Sequence, residues 1–361
     1  MTWPIWTGVG LVLVLLACAV VLLRRSTTAQ LHLFRAVAGR VVRRPVPMLA
    51  GPEELSVLLC GTGSPLPDRE RAGPGALVAA GGRLFLVDAG LGVMRNLRLW
   101  RVPLERIEGL LLTHVHSDHI AEVGETRLQT WVAGRKRPLP VYGPPGIERV
   151  VAGFEQAYAP DTGFRTAHHG PGFLPPEAAP LEARPLAIPG DAATAAMLDE
   201  DGLRITAIRV DHHPVEPAYG YRFDFRGRSV VISGDTTPQP ALARAAAGAD
   251  VLVHEGLQPR MVSALGDALQ AAGNHRAMRI MRDIPGYHCP PVEAARIANE
   301  AGVKHLVFTH LLPVLPNRLA RRLFLAGVAD LRSAGVAVGD DGLLLRLPGG
   351  GDRIERSRLS A

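Results

Sequence analysis

The run Thr-His-Val-His-Ser-Asp-His at 113–119 gathers four groups able to bind a metal: His114, His116, Asp118 and His119. Neutral imidazoles mixed with a carboxylate suit zinc and tolerate manganese or iron. The run leaves the apolar stretch Leu110-Leu111-Leu112, which reads as a buried strand. On a loop after such a strand, His114 and His116 turn toward one metal, and Asp118 and His119 toward a second. That is half a site. The other half must come from later strand ends, where His212-His213, Asp235, His254-Glu255, His288 and His310 stand.

The elements that must position these groups read as an α/β protein, because short apolar runs alternate with helical patterns from Glu54 onward. Residues 56–59 predict a strand entering a Gly-Thr-Gly turn, and 76–87 predict a hairpin turning at Gly81-Gly82. Residues 203–210, 221–232 (turning at Arg226-Gly227), 251–253 and 306–308 read as further strands. A helix is expected over 147–158. The stretch 171–189, with six prolines, is expected to be loop. No internal repeat is visible, so residues 51–361 read as one catalytic domain.

The formal charge of +6 has a local origin. Residues 1–50 carry six arginines and no acid; without them, 34 basic residues face 34 acidic ones. A charge-balanced body lacks the positive surplus that phosphate-backbone binding favours, so nucleic acid is not the favoured partner. Three scattered cysteines, Cys18, Cys60 and Cys289, exclude a disulfide framework and a cysteine zinc site.

Residues 5–23 carry no charge and are long enough to span a bilayer. Trp3 and Trp6 sit at one end of the stretch and Arg24-Arg25 at the other, at the interfacial positions such residues favour. The reading is a single uncleaved N-terminal transmembrane helix whose partner is membrane lipid, in an arm of residues 1–50. Leu15-Leu16-Ala17-Cys18 keeps lipoprotein processing as an alternative. The positive-inside rule then places the catalytic domain in the cytoplasm, with a periplasmic location as the other orientation. Residues 27–44 have helical spacing, with arginines for lipid headgroups or a face packed on the domain.

The motifs GTGSPLP, LVDAG, LLLTHVHSDH, GYRFDF, SGDT, VLVHEG, YHCPPVEAA and VFTH occur in an order that resembles ribonuclease Z-like metallo-β-lactamase proteins, over roughly residues 55–312. The resemblance implies a four-layer αβ/βα sandwich of two mixed sheets flanked by helices, and a hydrolase with two Zn2+ ions, Mn2+ or Fe2+ being alternatives. It implies that His114, His116 and a later histidine hold one metal. Asp118, His119 and His310 hold the other, and Asp235 bridges them. The later histidine is His213 or His212, and the Pro-Val-x-Pro run after it favours His213. Asp88 resembles a carboxylate that orients a ligand histidine from behind. His288 resembles a non-ligand catalytic histidine acting with Asp118, with His254 and Glu255 behind it.

The expected reaction is hydrolysis of a small or nucleotide-type phosphodiester. Ribonuclease Z proper grips transfer RNA with an arm between the GYR and SGDT motifs; here only residues 223–232 lie between them, which disfavours a 3′-tRNA endonuclease. An arylsulfatase and a non-catalytic, metal-stabilised binding domain are the remaining alternatives. The oligomeric state is not readable from the sequence.

Overall fold

The computed structural model describes residues 9, 13–14, 20–21, 24–43 and 45–360. The chain divides into two compact units, 1–46 and 47–361. In the first, the helix Thr27–Val42 is capped by Ser26, whose Oγ accepts from Ala29 N at 3.3 Å, and it buries none of its residues. The spanning helix expected over 5–23 requires correction. Among the described residues no helix is long and apolar enough to cross a membrane, and most of 5–23 lies outside the described residues. The anchor, its lipid partner, and the membrane location and orientation drawn from it are withdrawn.

Among its described residues the second unit holds fifteen strands: β1 (Glu54–Gly61), β2 (Gly75–Ala80), β3 (Arg83–Val87), β4 (Ile107–Leu111), β5 (Leu139–Gly143), β6 (Leu181–Pro185), β7 (Thr194–Glu200), β8 (Leu203–His212), β9 (Val215–Phe225), β10 (Arg228–Ile232), β11 (Val251–Leu257), β12 (His305–Leu312), β13 (Val336–Val338), β14 (Leu343–Pro348) and β15 (Glu355–Arg358). Eight form one sheet in the order β15-β14-β1-β2-β3-β4-β5-β6, and seven form the other, β13-β12-β11-β10-β9-β8-β7. Both are mixed: β3 to β6 and β10 to β13 pair in parallel, the rest antiparallel.

Side-chain alternation along a strand sorts its residues between two faces. On β1, Leu55, Val57 and Leu59 enter the core between the sheets, where Phe85 and Leu111 meet Tyr221, Phe223 and Val253. Leu58 and Cys60 point the other way, toward Val93, Met94 and Leu97 of the helix Val93–Leu99. The second sheet is covered likewise, with Leu252 and Leu306 packed against Ala294 and Ala298 of the helix Pro291–Glu300. This is the expected αβ/βα four-layer sandwich.

Two local expectations fail for tertiary reasons. The helix Ile147–His169 runs through Pro160 instead of ending near 158. Arg127, on the neighbouring helix Val123–Ala133, donates to Glu155 Oε1 and to Thr162 Oγ1, so side-chain anchors stand on both sides of the proline. The proline-rich stretch 171–189 is not all loop, because β6 lies within it as the edge strand beside β5. An edge tolerates Pro185, whose missing N–H faces no further strand.

Candidate metal centre

Strands β4, β8, β10 and β12 all end at one edge of the sandwich, and the candidate ligands sit at or just beyond those ends. The sheets are stitched together there. The buried Tyr221 hydroxyl donates to Leu112 O at 2.8 Å, and Tyr219 N donates to Thr113 O at 2.8 Å. Asp235 follows Gly234, whose φ of +63° and close approach to Tyr219 O (2.5 Å from an added Cβ) admit no side chain. His310 is itself left-handed, at φ +44°, where the β11–β12 register shifts. A bulky residue held there is strained, and such strain concentrates at functional sites.

His114, His116, His212 and Asp235 form one group able to hold a metal, and Asp118, His119 and His310 a second. The first group has a telling proton arrangement. His212 Nδ1 lies 2.9 Å from the carbonyl of Tyr287, which can only accept, so Nδ1 carries the proton. Thr113 Oγ1 gives its proton to Asp88 Oδ2 at 2.9 Å and therefore accepts from His114 Nδ1 at 3.0 Å. Both rings, neutral, turn an Nε2 lone pair inward. These two Nε2 atoms stand 3.0 and 3.2 Å from the same atom, His116 Nδ1. A single proton on His116 satisfies one of them at most; a cation among the three satisfies all. Burial also holds His114 well below the usual imidazole range and lowers His116 and His212, so all three favour the neutral form a metal requires.

In the second group His119 Nδ1 meets Asp88 Oδ2 at 2.8 Å, which again turns Nε2 inward. That Nε2 is buried, makes no hydrogen bond among the described residues, and lies 3.5 Å from Asp118 Oδ2 and 3.4 Å from Asp235 Oδ2. His310 Nε2 is 3.3 Å from each of the same two oxygens. Burial opposes charge on Asp235, yet His310 and His119 hold its carboxyl well below the usual range. Burial opposes charge on His119 too, and Asp235 and Asp88 outweigh it, holding the imidazole well above its usual value. Both shifts reflect buried carboxylates that need a positive neighbour, the role of a bound metal. The donor set therefore fits two cations sharing Asp235.

The structure corrects one assignment. His213 projects into solvent, its side chain 76% exposed and near Glu216, while its neighbour His212 is buried in the cluster. Adjacent residues of a strand face opposite ways, so only one of the pair can enter. Asp88 bonds to His119 from the side away from the cluster, its Oδ1 also accepting from Thr113 N at 2.8 Å. Glu255 Oε1 meets His288 Nδ1 at 3.0 Å, which turns the His288 Nε2 toward Asp235 and His310, with which it forms a third cluster. Burial lowers His288, but Glu255 outweighs it and leaves the imidazole raised. His254 is fully buried, its Nδ1 2.7 Å from the Glu255 carbonyl. Sequence reading missed Thr113 and Tyr287. The Thr113 hydroxyl was findable as the residue before His114; the Tyr287 carbonyl carries no side-chain signal.

Comparison with known proteins agrees with this architecture. Residues 83–311 match the family model described as the β-lactamase superfamily domain. A protein of Mycobacterium bovis named ribonuclease Z is 40% identical over 264 residues, covering 72% of this chain and 87% of the relative. A ribonuclease Z of a Mycobacterium species (strain KMS) is 38% identical over 290 residues, covering 80% and 94%. Among solved structures, a metallo-β-lactamase-fold protein of Bacillus subtilis superposes with a TM-score of 0.58 at 23% identity, covering 82% of this chain and all of that one. The short form of human tRNase Z gives 0.56 at 19% identity, covering 80% and 98%. At those identities the solved structures speak for the fold alone. The chain belongs to the β-lactamase superfamily and, within it, to the ribonuclease Z family of metal-dependent hydrolases.

Proposed function

We propose that the chain is a dinuclear, zinc-dependent phosphodiesterase acting on a small or nucleotide-type phosphodiester. One observation carries the reading. Asp235 Oδ2 stands 3.3 Å from His310 Nε2, 3.4 Å from His119 Nε2, 3.8 Å from His212 Nε2 and 4.0 Å from His114 Nε2. A single carboxylate oxygen among four histidines belonging to two groups is what a shared ligand requires.

Bound metal ions supply Lewis-acid polarisation of the ester and lower the pKa of an attacking water. The protein supplies the rest. Asp118, at the open side of its group, accepts the proton of that water. His288, oriented through Nδ1 by Glu255, donates a proton to the leaving oxygen from its inward Nε2. His288→Ala is then expected to keep metal content and lose turnover, whereas His114→Ala or Asp235→Ala loses both.

Two features favour a compact substrate over a long RNA. The connection between β9 and β10 is a tight turn at Arg226-Gly227, with no inserted arm, and the body from residue 51 is charge-balanced. The ribonuclease Z relatives favour a second reading, a 3′-end endonuclease on RNA. The sulfate-ester alternative gains no support from these relatives and is not carried forward. Purified protein assayed on bis-(p-nitrophenyl) phosphate, cyclic nucleotides, p-nitrophenyl sulfate and precursor tRNA separates the readings. The expected result is zinc-dependent turnover of the first two above the others; faster cleavage of precursor tRNA selects the second reading. Full activity after chelation refutes both.

A further inference from the structure

Two of the candidate metal-holding groups, His212 and Asp235, come from the ends of β8 and β10. These strands are not neighbours, because β9 lies between them. No ladder hydrogen bond joins those two ends directly, so contacts made beyond the strands fasten one to the other. On its far flank the Asp235 connection is tied by Thr236 N, which donates to Glu255 Oε1 at 3.2 Å. On its near flank the tie is Asp211, the residue before His212. Asp211 Oδ2 accepts from Thr237 Oγ1 at 3.1 Å and from Gln239 Nε2 at 3.2 Å. Its carbonyl accepts from Thr237 N at 2.8 Å, and its Oδ1 accepts from His213 N at 3.1 Å.

We propose that Asp211 is a positioning residue of the metal centre, fastening the His212 strand end to the Asp235 connection. All three partners of its side chain are donors or are used as donors, so an acceptor-only carboxylate is the group that fits. The Oδ1 bond also turns the chain just past His212, which sends His213 outward while His212 stays inside. Asp211 touches neither substrate nor metal; it acts through the separation of His212 Nε2 from Asp235 Oδ2. The inference rests on the dinuclear reading above.

The test is zinc affinity of the full chain, measured by competition with a chromophoric chelator, beside thermal melting of the metal-free protein. Asp211→Ala is expected to weaken zinc binding roughly 10- to 100-fold, the usual effect of losing an outer partner of a metal ligand. Asp211→Asn, which keeps one acceptor oxygen, is expected to recover most of that loss. The double variant Thr237→Val with Gln239→Ala leaves the His213 bond intact and is expected to weaken binding about tenfold. It serves as the test should Asp211→Ala fail to fold. A merely structural role would lower the metal-free melting temperature and leave the affinity of the folded protein unchanged. Wild-type affinity in folded Asp211→Ala, or in the double variant, overturns the proposal. Absence of zinc binding by the wild type overturns the dinuclear reading itself, and this inference with it.

Discussion

Asp88→Asn isolates what a carboxylate does behind a metal ligand. Asp88 is buried and accepts three hydrogen bonds: Oδ1 from Thr113 N at 2.8 Å, and Oδ2 from Thr113 Oγ1 at 2.9 Å and His119 Nδ1 at 2.8 Å. Its φ is +59°, a left-handed conformation that asparagine tolerates nearly as well as aspartate. The substitution thus leaves the backbone unstrained, and the amide oxygen can still accept from Thr113 N. The amide nitrogen, however, now faces His119 Nδ1 as a donor. The imidazole then prefers its other tautomer, with the proton on Nε2, the atom that must present a lone pair to the metal. The expected result is a roughly 10- to 100-fold loss of zinc affinity, read by chelator competition. Metal-free stability in urea should fall by about 1–2 kcal/mol, since the two bonds that Oδ2 accepts are weakened while the Thr113 N bond and the backbone are kept. Asp88→Ala should fare worse on the second measure. It adds a left-handed alanine, about 1–2 kcal/mol, and an unpaired buried Thr113 amide, about 1–3 kcal/mol. Wild-type zinc affinity in Asp88→Asn would refute the tautomer argument.

Three further outcomes are expected. Tyr221→Phe removes the hydroxyl that joins β9 to Leu112 O and should cost about 1–2 kcal/mol in urea unfolding; unchanged stability would show that this bond does not stitch the sheets. Asp340 is raised by burial, but hydrogen bonding and charge from Arg321 and Arg71 outweigh this and hold it below 3.8. A carboxyl depressed in the folded state stabilises above its unfolded pKa and loses that contribution as pH falls through the folded value. The stability gap between wild type and Asp340→Asn should therefore narrow below pH ~3.8, followed by fluorescence-detected unfolding; a gap independent of pH contradicts the pairing. Zinc at 100-fold above its Kd should stabilise the chain by about 2.7 kcal/mol per occupied site over the metal-free form, an effect absent if the centre binds no metal.

Much of the site was legible in the sequence because its groups are anchored by strand ends. Leu110 to Leu112 announces a strand, and the spacing of His114, His116, Asp118 and His119 follows from the turn after it. Asp235 and His310 stand after equally clear apolar runs. The choice between His212 and His213 was not legible, because both lie at one strand end and local sequence does not say where the strand stops pairing. The Asx turn at Asp211 decides it, through contacts with Thr237 and Gln239 more than twenty residues away. The long helix through Pro160 was hidden for the same reason, since Arg127 anchors it from another element. The N-terminal arm shows the opposite failure: hydropathy and flanking residues composed a membrane span that has no counterpart among the described residues.

The central claim is that two cations share Asp235. A zinc-loaded crystal, with anomalous differences collected on either side of the zinc edge, tests it most directly. The account predicts two peaks per chain flanking Asp235 Oδ2, one among His114, His116 and His212, the other among Asp118, His119 and His310. A single peak, or a peak coordinated by His213, would contradict it.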